Sequence, residues 1–239
     1  MKQYHVIIGH FGSGKTEIAL NIAFNEAKAG KKVTLVDLDI VNPYFRTAER
    51  YKELKAAGIR LLNPSFVTSG VEIPALPAEI YSAFTDDSDL VIFDVGGDAA
   101  GAIALGQYYR FFSKIPKSDL EVTCVINARR PFSSDLDGNL DMISSIRIAA
   151  RMEIDNLINN TNLSQETSVR DLIDGYQLIK EVSMKTTLPV RNTVSTVPIL
   201  DEFKSYAEDN GLDNIFIGEY MPIERYMHRD WERFTSQGL

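Results

Sequence analysis

Short apolar runs alternate along this chain with longer segments whose apolar residues recur every third or fourth position. Tyr4-His5-Val6-Ile7-Ile8 is mostly apolar, as a strand buried on both faces requires. From Glu17 to Ala29, Ile18, Ala19, Ile22, Ala23 and Ala27 fall at helical spacing, and Gly30 supplies a stop. A second strand is predicted at Val33–Val36, ending in Asp37-Leu38-Asp39. A turn-prone aromatic segment, Ile40 to Arg46, leads into a charged helix over 47–57 that Gly58 ends. Ile59–Asn63 is a further strand. The stretch Pro64 to Pro77 carries three prolines with Ser65, Thr68 and Ser69 between them, too many for regular structure. Connections of that length are more often lids or recognition surfaces than inert links.

The alternation continues. Ala78–Phe84 predicts a short helix, and the stretch Asp89 to Asp98 holds an apolar run, a strand that ends in Asp94 and is followed by two glycines, Gly96 and Gly97. A helix follows over 99–112, a strand over 121–127, a helix over 136–152, a short strand over 156–159 and a helix over 169–184. Val190–Val194 predicts an edge strand, Leu200–Asn210 a helix after Val197-Pro198, and Ile215–Ile217 a last strand. In the tail, Ile223, Tyr226, Met227, Trp231 and Phe234 share one side of a helix spanning 223–234. Its mixed charges favour docking on the protein's own core. Strands alternating with helices predict an α/β fold: a three-layer, doubly wound, mostly parallel sheet with helices on both faces. With no repeat or linker in view, one domain is expected over 1–239.

Composition narrows the function classes. An apolar content of 44% in 239 residues suffices for a substantial core. The chain enters a strand almost at once, which leaves no room for a signal peptide. No apolar run approaches the ~20 residues of a membrane helix, so stable membrane insertion is not expected. Cys124, the one cysteine, lies in an apolar run and fits a buried side chain in a reducing, cytoplasmic setting. The net charge of −8 argues against nucleic acid and anionic membranes as partners.

Gly9-His10-Phe11-Gly12-Ser13-Gly14-Lys15-Thr16 then changes the picture, because it sits between a predicted strand and a predicted helix and fits G-x-x-x-x-G-K-[ST]. In such a loop the backbone N–H groups around Gly9, Gly12, Ser13 and Gly14 turn inward toward phosphate oxygens. Lys15 reaches the outer phosphates, and the Thr16 hydroxyl is placed to hold magnesium. Asp37 and Asp39 share one face at a strand's C-terminal end, where like charges imply a cation or ordered water; Asp39 could also cap the next element. Asp94, ending a central strand, can hold magnesium through water, and Gly97 lets its N–H approach a terminal phosphate.

Taken together, Gly9 to Thr16, Val36-Asp37-Leu38-Asp39 and Phe93-Asp94-Val95-Gly96-Gly97 resemble the MinD/ParA/CobQ-type nucleotide-binding domain of the P-loop NTPases. The specific motifs cover about the first hundred residues. The resemblance implies ATP and Mg2+ as cofactors, slow ATP hydrolysis coupled to movement of switch segments, and a protein partner. It implies phosphate and magnesium binding by Lys15 and Thr16, a first switch containing Asp37 and Asp39, Asp39 orienting the attacking water, and Asp94 as the magnesium-associated carboxylate. Asn159 or Asn160 resembles the family's adenine-contacting asparagine, although Asn159-Asn160-Thr161-Asn162 also suits a turn. Val197-Pro198 resembles the loop that packs on the base, and no N-K-x-D favours guanine. His10 stands where the family has a second lysine that crosses a dimer interface. A nucleotide-sandwich homodimer therefore stays open, and a plain loop residue is the preferred reading of His10. For an arginine acting on phosphate, Arg46, Arg129 and Arg130 are candidates, with solvated surface charge the preferred reading of each. The alternative function is an ATP-dependent phosphotransferase or ligase of BioD or CobQ kind, with the 64–77 stretch gripping an acceptor. A metallochaperone role lacks ligand spacing among Cys124, His5, His10 and His228.

Overall fold

Continuous apolar runs become the centre of one sheet. The computed structural model describes residues 1–39, 50–63 and 78–227. The strands are β1 (Gln3–Gly9), β2 (Val33–Leu38), β3 (Arg60–Leu62), β4 (Leu90–Val95), β5 (Leu120–Ile126), β6 (Asn156–Asn159), β7 (Val190–Ser195) and β8 (Glu219–Pro222). They form one sheet in the order β3-β2-β4-β1-β5-β6-β7-β8, and every pairing is parallel. All six residues of both β2 and β4 are buried, as strands covered on both faces must be.

The helices are α1 (Lys15–Lys28), α2 (Tyr51–Ala56), α3 (Ala99–Gln107), α4 (Tyr109–Phe112), α5 (Leu136–Ala150), α6 (Val169–Thr186) and α7 (Val197–Asp209). Alternate strand residues feed two cores. Val6, Ile8, Val36, Phe93 and Cys124 pack with Leu105 of α3, Ile143 of α5 and Ile179 of α6. On the other face Ile7, Leu35, Ile92 and Val125 pack with Ile18, Leu20 and Phe24 of α1 and Leu54 of α2. The result is the three-layer α/β fold, with the period-2 alternation of each strand dividing the layers.

The structure departs from the sequence reading at several points. The helix expected over 99–112 breaks at Tyr108, where ψ swings to 4°. The helix expected to reach Met152 stops at Ala150 because Arg151 turns left-handed, φ 56°. β7 is not an edge strand: β8 lies outside it. Nor is Ile215–Ile217 a strand. Asp213 caps a 3-10 turn at Asn214–Phe216, Ile217 is buried, and Gly218, φ 67°, redirects the chain into β8. The border strands are therefore β3, of three residues, and β8, of four, ending in Pro222.

The tail also differs. Residues 223–227 form no helix, because side chains of α1 take their backbone N–H groups. Asn21 Oδ1 accepts from Glu224 at 2.8 Å, Glu17 Oε2 from Met227 at 3.1 Å, and Glu17 Oε1 from Tyr226. Docking on the core does occur: Ile223, Tyr226 and Met227 pack against the α1 side, and Tyr226 lies 4.7 Å from Phe24 between ring centroids. The remainder of the predicted tail helix, the segment 40–46, the first residues of the 47–57 helix and the 64–77 stretch lie outside the described residues. Among those described, no helix is long and apolar enough to cross a membrane.

Candidate functional site

The site sits where β1, β2 and β4 end. β1 and β4 are neighbours in parallel register, as are β2 and β4, so Asp37 and Asp94 are direct Cα partners on adjacent strand ends. The chain leaving β1 curls through Gly9–Gly14 and enters α1 at Lys15. Gly14 caps that helix with φ 92°, and a Cβ there would lie 2.2 Å from Asn160 Nδ2, so conformation and space both demand glycine.

Two side chains at the start of α1, Lys15 and Thr16, face the strand-end acids. Lys15 is 7% exposed, and its Nζ donates to the carbonyl of His10 at 3.1 Å. Burial lowers the affinity of its ammonium for a proton, and the carboxylates of Asp94 and Asp39 oppose that. The Thr16 hydroxyl donates to Asp94 Oδ2 at 2.6 Å. Asp37 Oδ1 accepts from the backbone N–H of Asp39 at 3.0 Å, which ties the two ends of the D-x-D together.

Asp94 is the electrostatic centre. Burial and then the charge of Asp37 push its carboxyl up to about 7, against the hydrogen bond from Thr16 and the charge of Lys15. Its Oδ1 is buried with no hydrogen-bond partner among the described residues. An orphaned carboxylate oxygen beside a second carboxylate and a hydroxyl offers the hard oxygen donors that magnesium takes. Among the described residues no cluster holds three or more metal-ligating His, Cys, Asp or Glu side chains. Asp37, Asp94 and Thr16 thus fit a cation whose remaining ligands are water and phosphate oxygens.

Gly97 meets the loop itself. A Cβ on it would fall 2.4 Å from the backbone nitrogen of Phe11 and 2.7 Å from the carbonyl carbon of His10. Gly97 therefore lets the segment after β4 lie directly against the phosphate-loop backbone before Asp98 caps α3 through Gly101 at 2.8 Å.

The later candidates fall elsewhere. Asn160, 2% exposed, donates from Nδ2 to the carbonyl of Ser13 at 2.7 Å and so braces the loop from the end of β6. Asn159, 1% exposed, accepts through Oδ1 from the Thr161 N–H at 3.2 Å and the Thr161 hydroxyl at 2.8 Å. Both amides point into the protein. Pro198 is exposed in the first turn of α7 rather than in a loop, which is where proline suits a helix.

Two contacts had no signal in the sequence, since they join residues more than a hundred positions apart. Arg130 Nε donates to the carbonyl of Gly12 at 2.9 Å, and the ring of Phe132 stacks on His10 at 5.1 Å. Asn127, buried at the end of β5, organises the turn that carries them. Its backbone carbonyl accepts from the Arg130 N–H at 3.1 Å and from the Ser133 hydroxyl at 2.7 Å.

The family described as the CobQ/CobB/MinD/ParA nucleotide binding domain matches residues 6–196. No match is found among curated proteins. Solved structures with this fold include FtsY from Mycoplasma mycoides, with TM-score 0.58, 16% identity and coverage of 89% of this chain and 68% of that one. FtsY from Thermotoga maritima has TM-score 0.55 and 19% identity, covering 81% of this chain and 61% of that one. The signal recognition particle receptor FtsY from Elizabethkingia anophelis in complex with GDP has TM-score 0.50 and 19% identity, covering 81% and 57%. The chain thus spans about three fifths of the length of the Thermotoga maritima FtsY structure. At such identities the likeness speaks to the P-loop NTPase fold.

Proposed function

Because the chain belongs to the CobQ/CobB/MinD/ParA nucleotide-binding-domain family, we propose that it binds ATP with magnesium and hydrolyses it slowly in the cytoplasm, using the nucleotide state to change its contacts with a protein partner. The observation that carries this reading is the 2.6 Å hydrogen bond from Thr16, the last residue of the glycine loop, to Asp94 at the end of β4. It joins the phosphate-binding loop to the acidic strand ends. The backbone N–H groups of Gly12 and Gly14 take phosphate oxygens at the positive end of α1, joined by that of Ser13 once it leaves the His10 carbonyl to which it donates at 3.1 Å. The Lys15 ammonium, now held by the His10 carbonyl, turns to the outer phosphates. Thr16, Asp37 and Asp94 would hold magnesium, which when bound would supply positive charge beside the phosphate oxygens. Asp39 orients water for in-line attack on the terminal phosphorus. The absence of an N-K-x-D run favours adenine over guanine.

Thermal melting and phosphate release test the reading together. At a hundredfold excess over the dissociation constant, Mg-ATP adds ~2.7 kcal/mol, a rise of roughly 5 to 10 °C for a chain of this size. GTP gives a smaller rise, and Lys15→Ala abolishes it. Asp39→Ala keeps the rise and loses phosphate release. No rise with either nucleotide overturns the proposal.

A further inference from the structure

We infer that Arg130 is a nucleotide-binding residue: its guanidinium, anchored on the phosphate loop by the turn after β5, holds the terminal phosphate of a bound nucleoside triphosphate from within the same chain. This inference rests on the nucleotide-binding reading above.

The turn 127–133 is built to place that side chain. Its backbone is pinned by the Arg130 N–H on the Asn127 carbonyl and by the Ser133 N–H on the Arg130 carbonyl at 2.9 Å. Asn139 of α5 braces the same turn, donating to the Ser133 carbonyl at 3.0 Å. The turn then meets the phosphate loop at two points, through Phe132 stacked on His10 and through Arg130 Nε on the Gly12 carbonyl. The guanidinium lies so close that a Cβ on Gly12 would be 3.2 Å from Nε and 3.7 Å from Cζ.

Such a seat is not that of a solvated surface charge. The neighbouring Arg129 shows how the fold neutralises an arginine: Nε pairs with Asp171 and a terminal amine with Asp174, each at 2.6 Å. Arg130 has no ion pair among the described residues, and the one hydrogen bond of its guanidinium there uses Nε alone. Both terminal amines of a planar fork are thus left without a partner among the described residues, beside the glycine loop at Gly12. A fork with two parallel N–H groups matches phosphate oxygens better than any other anion the site would meet. The Gly12 carbonyl holds Nε, so the fork is preorganised and loses little freedom on binding.

The test is equilibrium binding to the full chain with magnesium, ATP against ADP, with GTP against GDP in parallel so that a wrong base assignment leaves the phosphate contrast readable. Arg130→Ala should weaken triphosphate binding roughly tenfold to a hundredfold and change diphosphate binding less than about threefold. Arg130→Lys, which keeps the charge but not the fork, should fall between. Melting without nucleotide should stay within about 2 °C of the unmodified protein for Arg130→Lys, which keeps the comparison valid if the alanine variant folds poorly. Equal losses for diphosphate and triphosphate would mean that Arg130 only shapes the loop, and unchanged affinities would mean a solvated charge; either overturns the inference while leaving nucleotide binding intact. Failure of the unmodified protein to bind any of the four nucleotides overturns both readings.

Discussion

Asn160 at the end of β6 donates its side-chain amide to the carbonyl of Ser13, 147 positions earlier, across 2.7 Å. A residue that resembles a base contact in sequence is in the structure a brace for the phosphate loop. It also explains Gly14, whose Cβ would occupy the place of that amide.

Asn160→Ala should leave the buried Ser13 carbonyl without this donor. A buried acceptor left unsatisfied costs about 1–3 kcal/mol, which corresponds to a fall in Tm of roughly 2 to 10 °C. Nucleotide affinity should fall with it. Calorimetric melting checks the first effect, and unchanged Tm and affinity together would show that the brace is dispensable.

Gly97→Ala places a methyl against backbone atoms of His10 and Phe11, which cannot rotate away. Overpacking of this kind costs about 1–3 kcal/mol, and here it acts on the loop itself. Titration of the variant with ATP should show a Kd weaker by roughly fivefold to a hundredfold. Normal affinity would mean that the segment after β4 yields without moving the loop.

The contribution of Asp94 to the stability of the nucleotide-free protein in chelator should fall as pH rises. Its carboxyl ionises at 3.8 by its ordinary value and near 7 when folded. Between those values the unfolded chain binds fewer protons at this group, so this component falls with rising pH and levels off above 7, against the opposite contribution of His5, which burial lowers to about 3. The full difference is at most roughly 4 kcal/mol, because Asp37 shares in the charge. Asp94→Asn should remove this component, and its stability relative to the unmodified protein should climb from pH 4 to pH 7. A constant difference across that range contradicts the assignment.

Glu17→Ala should release the tail. Its carboxylate accepts from the backbone of both Tyr226 and Met227, and no other acceptor for those groups is present among the described residues. Cleavage near residues 223–227 under limited proteolysis should accelerate, with a Tm lower by a few degrees. Resistance equal to that of the unmodified protein would show that packing of Ile223 and Tyr226 alone holds the segment.

Much of the fold was legible because its signals are local. Strands buried on both faces, such as β1 and β4, announce themselves as unbroken apolar runs, and the glycine loop is defined by eight consecutive residues. The acids Asp37 and Asp94 were legible as strand ends, although their register partnership needs the sheet order. What escaped depends on distant partners. Ile215–Ile217 reads as a strand because it is apolar, yet Phe216 and Ile217 pack against α6 and α7 while Ile215 is exposed. The tail reads as helical from its spacing, while the acceptors that hold 223–227 out of a helix belong to α1. The anchor of Arg130 has no local signal because the Gly12 carbonyl lies 118 positions away.

The sheet's borders carry one more consequence. A three-residue strand on one flank and a four-residue strand closed by Pro222 on the other leave few free backbone groups in line, so an incoming segment finds no template on which to extend the ladder. Self-recognition by strand addition is thereby discouraged at both flanks. Among the described residues, the surfaces left for assembly are the loop-bearing rim and the helices.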